Sequence, residues 1–598
     1  MPAFLSRRKI RITYPLALFL SFMAAGMATS QARPEDPPKA ERQQLEEWVG
    51  TSRSGSYLAG RFAARQRDYE HAARFFESTL SYDPSNPSLL HRAFVLYASS
   101  GQWAKADALA QRIVRANPSA RLAQTVLGLK AAEKGRWAQA RKHFRKAAVT
   151  PIGELTSGLL TAWAHAGEGH LAKALAALKK LEKYETFSSF RDFHGALIAD
   201  FLKSPSRAEQ LYARAYRDIS GSLRVAQAYA NFLRRHGKID DARKIYRAFL
   251  KAAPETAIIK AALADLKKHP RKKPKPMIRT ARQGMAEALF SLASALIDDR
   301  SLDIALIYNR MALRMRPNYP VAWMLLGEIY ENMRKFDKAI AAYRRIPRSH
   351  PLWVPAQIQI ALDLDDLKRT DEAIALLRRL SKDHPREYKI FLTLGNILRA
   401  HERWKEAAEA YTRGLKLMGK PEPRHWSIYY FRGIAYERSG QWPKAEKDFR
   451  LALKLNPDHP SVLNYLGYSL IDRGEKLKEA LEMVKKAVDA RPNDGYIVDS
   501  LGWAYYRLGR YDEAVKYLER AVELRPGDPV INDHLGDAYW KVGRRLEARF
   551  QWRHALDSKP EEKDIPRIKR KLEVGLDVVE REEAAKTRKT ANGTDQAR

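Results

Sequence analysis

Cysteine is absent from all 598 residues. Its absence excludes disulfide staples, thiolate zinc sites, iron–sulfur clusters, a thiol nucleophile and lipidation at cysteine. It leaves the redox state of the compartment open. Acidic residues are scarce relative to basic ones: 70 Asp and Glu stand against 107 Lys and Arg, a net charge of +37. Glycine and proline number 31 and 30, too few for a collagen-like or low-complexity chain. Catalytic signatures are missing as well, with no GxxxxGK[ST] phosphate loop, no HExxH zinc pair and no GxSxG elbow. His269, His350, His384 and His459 each directly precede a proline, and the paired carboxylates Asp298-Asp299 and Asp365-Asp366 read as solvated turns or helix ends. No catalytic residue, cofactor, metal ligand or small-molecule substrate is therefore expected.

What is present is unevenly spread. Residues 101–350 hold 47 Lys/Arg against 21 Asp/Glu, whereas residues 351–598 hold 47 against 40. The first field attracts anionic partners and is weakened by salt. Its densest part is 267–282 (KKHPRKKPKPMIRTAR), with eight Lys/Arg, three Pro and no acid. Charge repulsion and proline both oppose a compact helix pair there, so the segment reads as a linker. Its Arg271, Lys272, Lys273 and Lys275 are the candidates for contact with an anionic partner, such as an anionic polymer.

Residues 1–32 have the pattern of an export signal. Arg7, Arg8, Lys9 and Arg11 precede an apolar stretch from Leu16 to Ala28 that is short for a transmembrane helix. Ser30 and Ala32, or Gly26 and Ala28, supply the small residues that cleavage requires. The expected location is the periplasm, or the membrane if the leader is retained as an anchor. Residues 33–52 follow as a polar spacer. Export would remove ATP, cytosolic chaperones and most nucleic acid from the list of partners.

A period of 34 residues runs through the rest. Pro317, Pro351 and Pro385 are 34 apart, and Pro457, Pro492, Pro526 and Pro560 continue the series at 35, 34 and 34. Within the period, Gly433, Ala445, Ala452 and Pro457 have spacings that recur in Gly502, Ala514, Ala521 and Pro526. A Gly-x-aromatic turn recurs in Gly101-Gln102-Trp103, Gly135-Arg136-Trp137, Gly440-Gln441-Trp442 and Gly509-Arg510-Tyr511. These spacings describe two amphipathic helices joined by a short turn. The Gly permits close approach, the Ala sits at the contact, and the Pro stops the second helix because it has no N–H to donate.

With Trp323 to Pro351 (WMLLGEIYENMRKFDKAIAAYRRIPRSHP) as its clearest unit, the chain resembles the tetratricopeptide repeat family. The resemblance implies an all-α fold: a solenoid forming a right-handed superhelix of antiparallel helix pairs, with about 14 repeats. The expected organisation is an N-terminal basic array at 53–266, the linker at 267–282, a C-terminal array at 283–562, a capping helix at 563–581 and a disordered tail at 582–598. The units over 155–222 are degenerate in pattern.

In such stacks the first helix of each unit lines the concave face. That stripe offers Asn464 and Tyr468, then Asp499, Trp503, Tyr506 and Arg507, then Asp533, Asp537, Trp540 and Lys541, as a partner-binding groove. The family's clamp for a C-terminal carboxylate needs a Lys followed four residues later by Asn. The corresponding pairs Asp499/Trp503, Asp533/Asp537, Asn464/Tyr468 and Leu392/Asn396 lack the Lys. The run GYIVDSLGWAYYRLGRYDEA is similar to exported envelope repeat proteins of Gram-negative bacteria that act as adaptors for C-terminal-processing proteases. The implied function is a non-enzymatic scaffold that binds envelope proteins, with a protease or peptidoglycan hydrolase as candidates. Two alternatives stand beside it: a structural factor in exopolysaccharide or cell-wall assembly, and an intracellular nucleic-acid binder if the leader is not a signal.

Overall fold

The computed structural model of the chain describes residues 52–297 and 301–595. The expected export signal at 1–32, nearly all of the spacer at 33–52 and the pair Asp298-Asp299 lie outside the described residues. Among those described are 31 α-helices and no strand. Fourteen antiparallel pairs use all but three of the helices, in the tetratricopeptide-type solenoid that the spacing predicts. The degenerate stretch folds as two such pairs, Pro151–Gly167 with Leu171–Lys179 and Ser188–Phe201 with Pro205–Asp218. The first begins four residues before the periodic boundary, because the Thr150 side chain accepts from the Gly153 N–H and caps the helix there.

The local rules are visible in the last pair, Pro529–Lys541 and Arg545–Asp557. The Asp528 carboxylate accepts from the N–H groups of Val530 and Ile531 at 3.0 and 3.1 Å, and Pro529 occupies the first turn, where it forfeits no hydrogen bond. In several pairs a glycine of the first helix meets a large side chain of the second. A Cβ on Gly327 would lie 2.2 Å from the Tyr343 ring; on Gly433, 2.6 Å from Phe449; on Gly536, 2.5 Å from Trp552. The partner is sixteen residues ahead in all three. The alanines at the joint, Ala339, Ala445 and Ala548, are wholly buried beside it. The glycine thus approaches a ring, and the alanine fills the remaining space.

The chain divides into two compact units, Met1–Ala373 and Ile374–Arg598. The division falls within the helix Thr370–Asp383 rather than at 267–282, which corrects the expected separation of two arrays at the basic run. Residues 269–280 are indeed free of helix, but they are laid along the helix Leu223–Arg235. Asn231 donates to the Lys275 carbonyl at 3.2 Å and Arg234 to the His269 carbonyl at 2.9 Å. An unpaired helix, Ala257–Lys268, precedes the run.

The next pair, Ala281–Ala295 and Leu302–Met315, turns back onto the first helices of earlier pairs. Gly284 admits the Trp163 ring, since a Cβ there would lie 2.2 Å from it. Arg314 is buried between Asp107, at 2.8 and 3.0 Å, and Glu133, at 2.7 and 3.0 Å. The Tyr308 hydroxyl meets the Thr156 hydroxyl at 2.9 Å. The hydrogen-bonded partners are 152 to 207 residues apart, beyond the reach of any periodicity.

The expected single cap at 563–581 is instead two helices, Ile565–Val574 and Leu576–Asp595, broken at Gly575 with φ +83°. The expected disordered tail is helical through Asp595 among the described residues. Its start is tied down by Arg567 to Glu583 at 3.0 Å and Arg570 to Glu582 at 2.8 Å.

Replacing Gly433 by alanine forces a methyl against the Phe449 ring and is expected to lower stability by about 1–3 kcal/mol. Urea melts of the single variant and of Gly433→Ala/Phe449→Leu check this: the smaller partner should restore part of the loss. A neutral Gly433→Ala would remove the close approach as the determinant of helix spacing.

Candidate functional site

The stripe named from the sequence lies on three successive first helices of the second unit, Pro460–Asp472, Gly495–Arg507 and Pro529–Lys541. Side chains capping their N-termini hold two of these in register: Asp494 accepts from the Tyr496 N–H at 3.3 Å, and Asp528 acts as described above. Each first helix buries one face against its own partner, which leaves a second face for the stripe.

The structure brings most of the named residues together. Trp503 stacks on Tyr506 with ring centroids 4.6 Å apart, and on His534 at 4.0 Å. His534 Nδ1 lies 3.0 Å from the Asp499 carboxylate. Burial opposes a charge on His534, yet Asp499, Asp533 and Asp537 together raise its pKa above the ordinary imidazole range. Arg507 turns to the rim and donates to the Asp472 carbonyl at 3.0 Å. Asn464 and Tyr468 are half-buried, and the Asn464 Oδ1 and Trp503 Nε1 atoms are buried without a hydrogen-bond partner among the described residues.

The far end of the stripe is not open. Lys571, fully buried on the helix Ile565–Val574, places its ammonium 2.8 Å from Asp533 and 2.6 Å from Asp537. Arg567 adds a second cation 3.6 Å from Asp537. Asp577 accepts from Trp540 Nε1 at 2.9 Å, and Glu580 takes Lys541 at 2.5 Å and the Tyr506 hydroxyl at 3.2 Å. Asp537 also accepts from Trp552 Nε1 at 2.9 Å. The chain's own C-terminal helices therefore occupy the part of the stripe from Tyr506 to Lys541. Burial, and then Asp537, push the Asp533 carboxyl up despite the ammonium beside it.

His534, Arg567, Lys571, Asp577 and Glu580 were missed in the sequence. The repeat period ends at Pro560, so it said nothing of which groove residues the capping segment would meet. The apolar face Ile568, Leu576 and Val579 is buried as expected of a cap. A lysine three residues after Ile568 was legible only as a solvated residue.

Elsewhere, Arg271, Lys272, Lys273 and Lys275 are all exposed in the first unit. Asp365 accepts from the Thr370 hydroxyl at 2.7 Å, at the end of the helix Trp353–Asp366. The strongly perturbed carboxyl of that helix is Asp363, which burial and the neighbouring Glu331 push far up. His165, Glu168 and His170 bring potential ligand atoms within 4.8 Å of one another. Glu168, however, already accepts from Arg141 at 2.5 Å, and burial together with that cation lowers the His165 pKa. A second cation there would meet repulsion.

Helix pairs stacked in this way, with charge and aromatic rings gathered on the inner helices, define a helical-repeat scaffold, a class that is in general non-catalytic and binds proteins. The chain belongs to the tetratricopeptide repeat family: models described as tetratricopeptide repeat match residues 279–561, 63–129 and 223–266. Among curated proteins it is 33% identical over 122 residues to a TPR repeat-containing protein of Pseudomonas aeruginosa, covering 20% of each chain. It is 34% identical over 107 residues to the BBSome complex member BBS4 of Bos taurus, covering 18% of this chain and 20% of that protein. The chain thus spans about a fifth of the length of these relatives. Among solved structures, it is similar to the APC/C hetero-tetramer Cut9-Hcn1 at 14% identity and TM-score 0.35, over 90% of this chain and 99% of that one. It is also similar to MamA from Desulfovibrio magneticus RS-1 at 21% identity and TM-score 0.26, over 29% and 94%.

Removing the Lys571 ammonium leaves Asp533 and Asp537 with only the more distant Arg567 guanidinium, a change that costs about 3 kcal/mol. Lys571→Met is therefore expected to release the C-terminal helices, read as faster amide exchange over 565–585 with that of Pro87–Ser100 unchanged. The raised pKa of His534 gives a second outcome. Its stabilisation is complete below the ordinary imidazole pKa of about 6.5 and is lost as pH rises through the raised value. His534→Gln should cost about 1 kcal/mol or more at pH 6 and much less at pH 9 in thermal melts.

Proposed function

We propose that this protein is a non-enzymatic adaptor of the bacterial envelope that grips a helical segment of a partner in the groove of its second unit. One observation carries the reading: the groove already holds a helix, with Lys571 seated between Asp533 and Asp537 and acidic residues set against Trp540, Lys541 and Tyr506. A partner helix presenting a Lys or Arg toward those two aspartates, and apolar residues toward Trp503 and Tyr468, satisfies the same chemistry. The C-terminal helices then act as a placeholder that the partner displaces, and the unpartnered Asn464 Oδ1 and Trp503 Nε1 mark where the partner's chain adds hydrogen bonds.

The envelope assignment rests on the signal pattern of residues 1–32. The choice of an envelope protease or peptidoglycan hydrolase as partner rests on the resemblance of GYIVDSLGWAYYRLGRYDEA to envelope adaptors. The alternative of an anionic cell-envelope polymer is favoured by one feature, the exposed Arg271, Lys272 and Lys273. A nucleic-acid role would require the protein to remain in the cytosol.

The test is capture from an envelope fraction with the mature protein, its Asp577→Ala/Glu580→Ala variant, which loosens the placeholder, and its Trp503→Ala variant. A protease or peptidoglycan hydrolase should be retained, at higher yield on the loosened variant and lower yield on Trp503→Ala. Retention of neither class of enzyme defeats the protease or hydrolase reading. Binding that is insensitive to Trp503→Ala but abolished by salt transfers the function to the basic linker.

A further inference from the structure

A cavity of about 290 Å³ lies in the first unit, between the helix Leu223–Arg235, residues 275–279 and the start of the helix Pro320–Asn332. Arg224, Lys275, Arg279, Arg316 and His350 line it, and no Asp or Glu does. The nearest acid, Glu287, is fully buried and already committed. It accepts from Arg224 Nε and Nη2 at 2.8 and 2.5 Å and from the Tyr319 hydroxyl at 2.6 Å. Glu287 is therefore hydrogen-bonded to Arg224 and Tyr319, and it reaches Arg316 only through space, without a direct ion pair.

Arg316 is the informative residue. Its guanidinium is half-buried over the Tyr319 ring, 4.6 Å from the centroid, and no carboxylate pairs with it among the described residues. Burial works most strongly against its charge; Tyr319 and Glu287 offset part of that, and Arg224 and Arg279 oppose it further, so its pKa stays below the ordinary guanidinium range. Burial and the cations of Arg224 and Arg316 likewise lower the His350 pKa. A half-buried guanidinium held among like charges is relieved by an anion at hydrogen-bond distance.

The remaining lining fits an organic body. Ile258, Met277, Pro276 and Val321 supply an apolar wall. His350 Nδ1 accepts from the Leu352 N–H at 3.2 Å, which leaves Nε2 as the donor nitrogen of the ring. Lys275, Arg279 and Arg316 carry three positive charges without a carboxylate, a count that suits a dianion better than a single carboxylate. Of the four cations singled out in the basic run, only Lys275 lines this cavity. Arg271, Lys272 and Lys273 stand exposed beside it as an attractive approach.

The geometry points to a phosphate-monoester site, in which Arg316 and Arg279 fork onto the phosphate, Lys275 closes over it, and the attached organic group rests on Met277 and Val321. The site is independent of the groove in the second unit and stands whether or not that groove binds a protein. The phosphate can arrive on a soluble metabolite or on a lipid headgroup, and the same pocket chemistry serves both.

Calorimetric titration of the full chain with glycerol 1-phosphate, inorganic phosphate, glycerol and succinate tests the assignment, with sedimentation of phosphatidic-acid vesicles as a second arm. Glycerol 1-phosphate should bind, with glycerol silent and succinate weaker. Arg316→Gln should weaken it about tenfold or more, the loss of one charge-assisted pair. Arg316→Lys, which keeps the charge but not the fork, should fall between, and Lys273→Gln should change it little. Vesicle binding lost in Arg316→Gln without soluble binding assigns the phosphate to a lipid. The site is overturned if neither phosphate source binds, if succinate binds as tightly as the monoester, or if Lys273→Gln weakens binding as much as Arg316→Gln. A melting curve of Arg316→Lys matching the parent chain separates loss of binding from loss of fold.

Discussion

A ring laid against a glycine sets the distance between the two helices of a pair. Tyr343 against Gly327, Phe449 against Gly433 and Trp552 against Gly536 repeat one contact, sixteen residues apart each time. Because the helices of these pairs cannot move closer without a clash or further without losing that contact, each of these pairs is a stiff unit with one apolar face spent internally. The first helices must then present a second face inward, and what that face carries decides what the protein can hold.

In both units the chain fills part of its own inner face, and it does so with the same device. Arg314 enters between Asp107 and Glu133 in the first unit, and Lys571 enters between Asp533 and Asp537 in the second. A buried cation between two carboxylates adds little net stability, since desolvation offsets most of the attraction. Its effect is to select one seat, because any other placement leaves a buried charge unpaired. Part of the basic excess is thus structural. Lys275 and Arg279 are of another kind, without carboxylate partners among the described residues and set at a cavity that has no acid in its lining.

The helix pairs were legible because their determinants are local. Turn glycines such as Gly440 adopt φ +78°, a value that costs glycine nothing and other residues strain, so they recur at fixed offsets. The groove stripe was legible for a related reason: residues three and four apart share a helix face, so Asp499, Trp503 and Tyr506 had to lie together. The degenerate units at 155–222 kept their helices while losing much of the pattern: Gly195 still meets Leu211, and Trp163 and Tyr212 are wholly buried. The role of 267–282 was misjudged: proline and charge forbid a helix there, but they do not mark where two compact bodies meet.

Periodicity, then, determined the class of fold and the number of pairs, and it put residues such as Asp499, Trp503 and Tyr506 on one helix face, because each depends on residues within one turn or one repeat of each other. Tertiary structure decided whether those inward faces are open. The return of Ala281–Met315 onto the earlier helices, the seating of Lys571 and the cavity beside Arg316 join residues up to some two hundred positions apart. Such contacts depend on side chains from distant repeats meeting, as Arg314 meets Asp107, and a repeat of 34 residues carries no record of them.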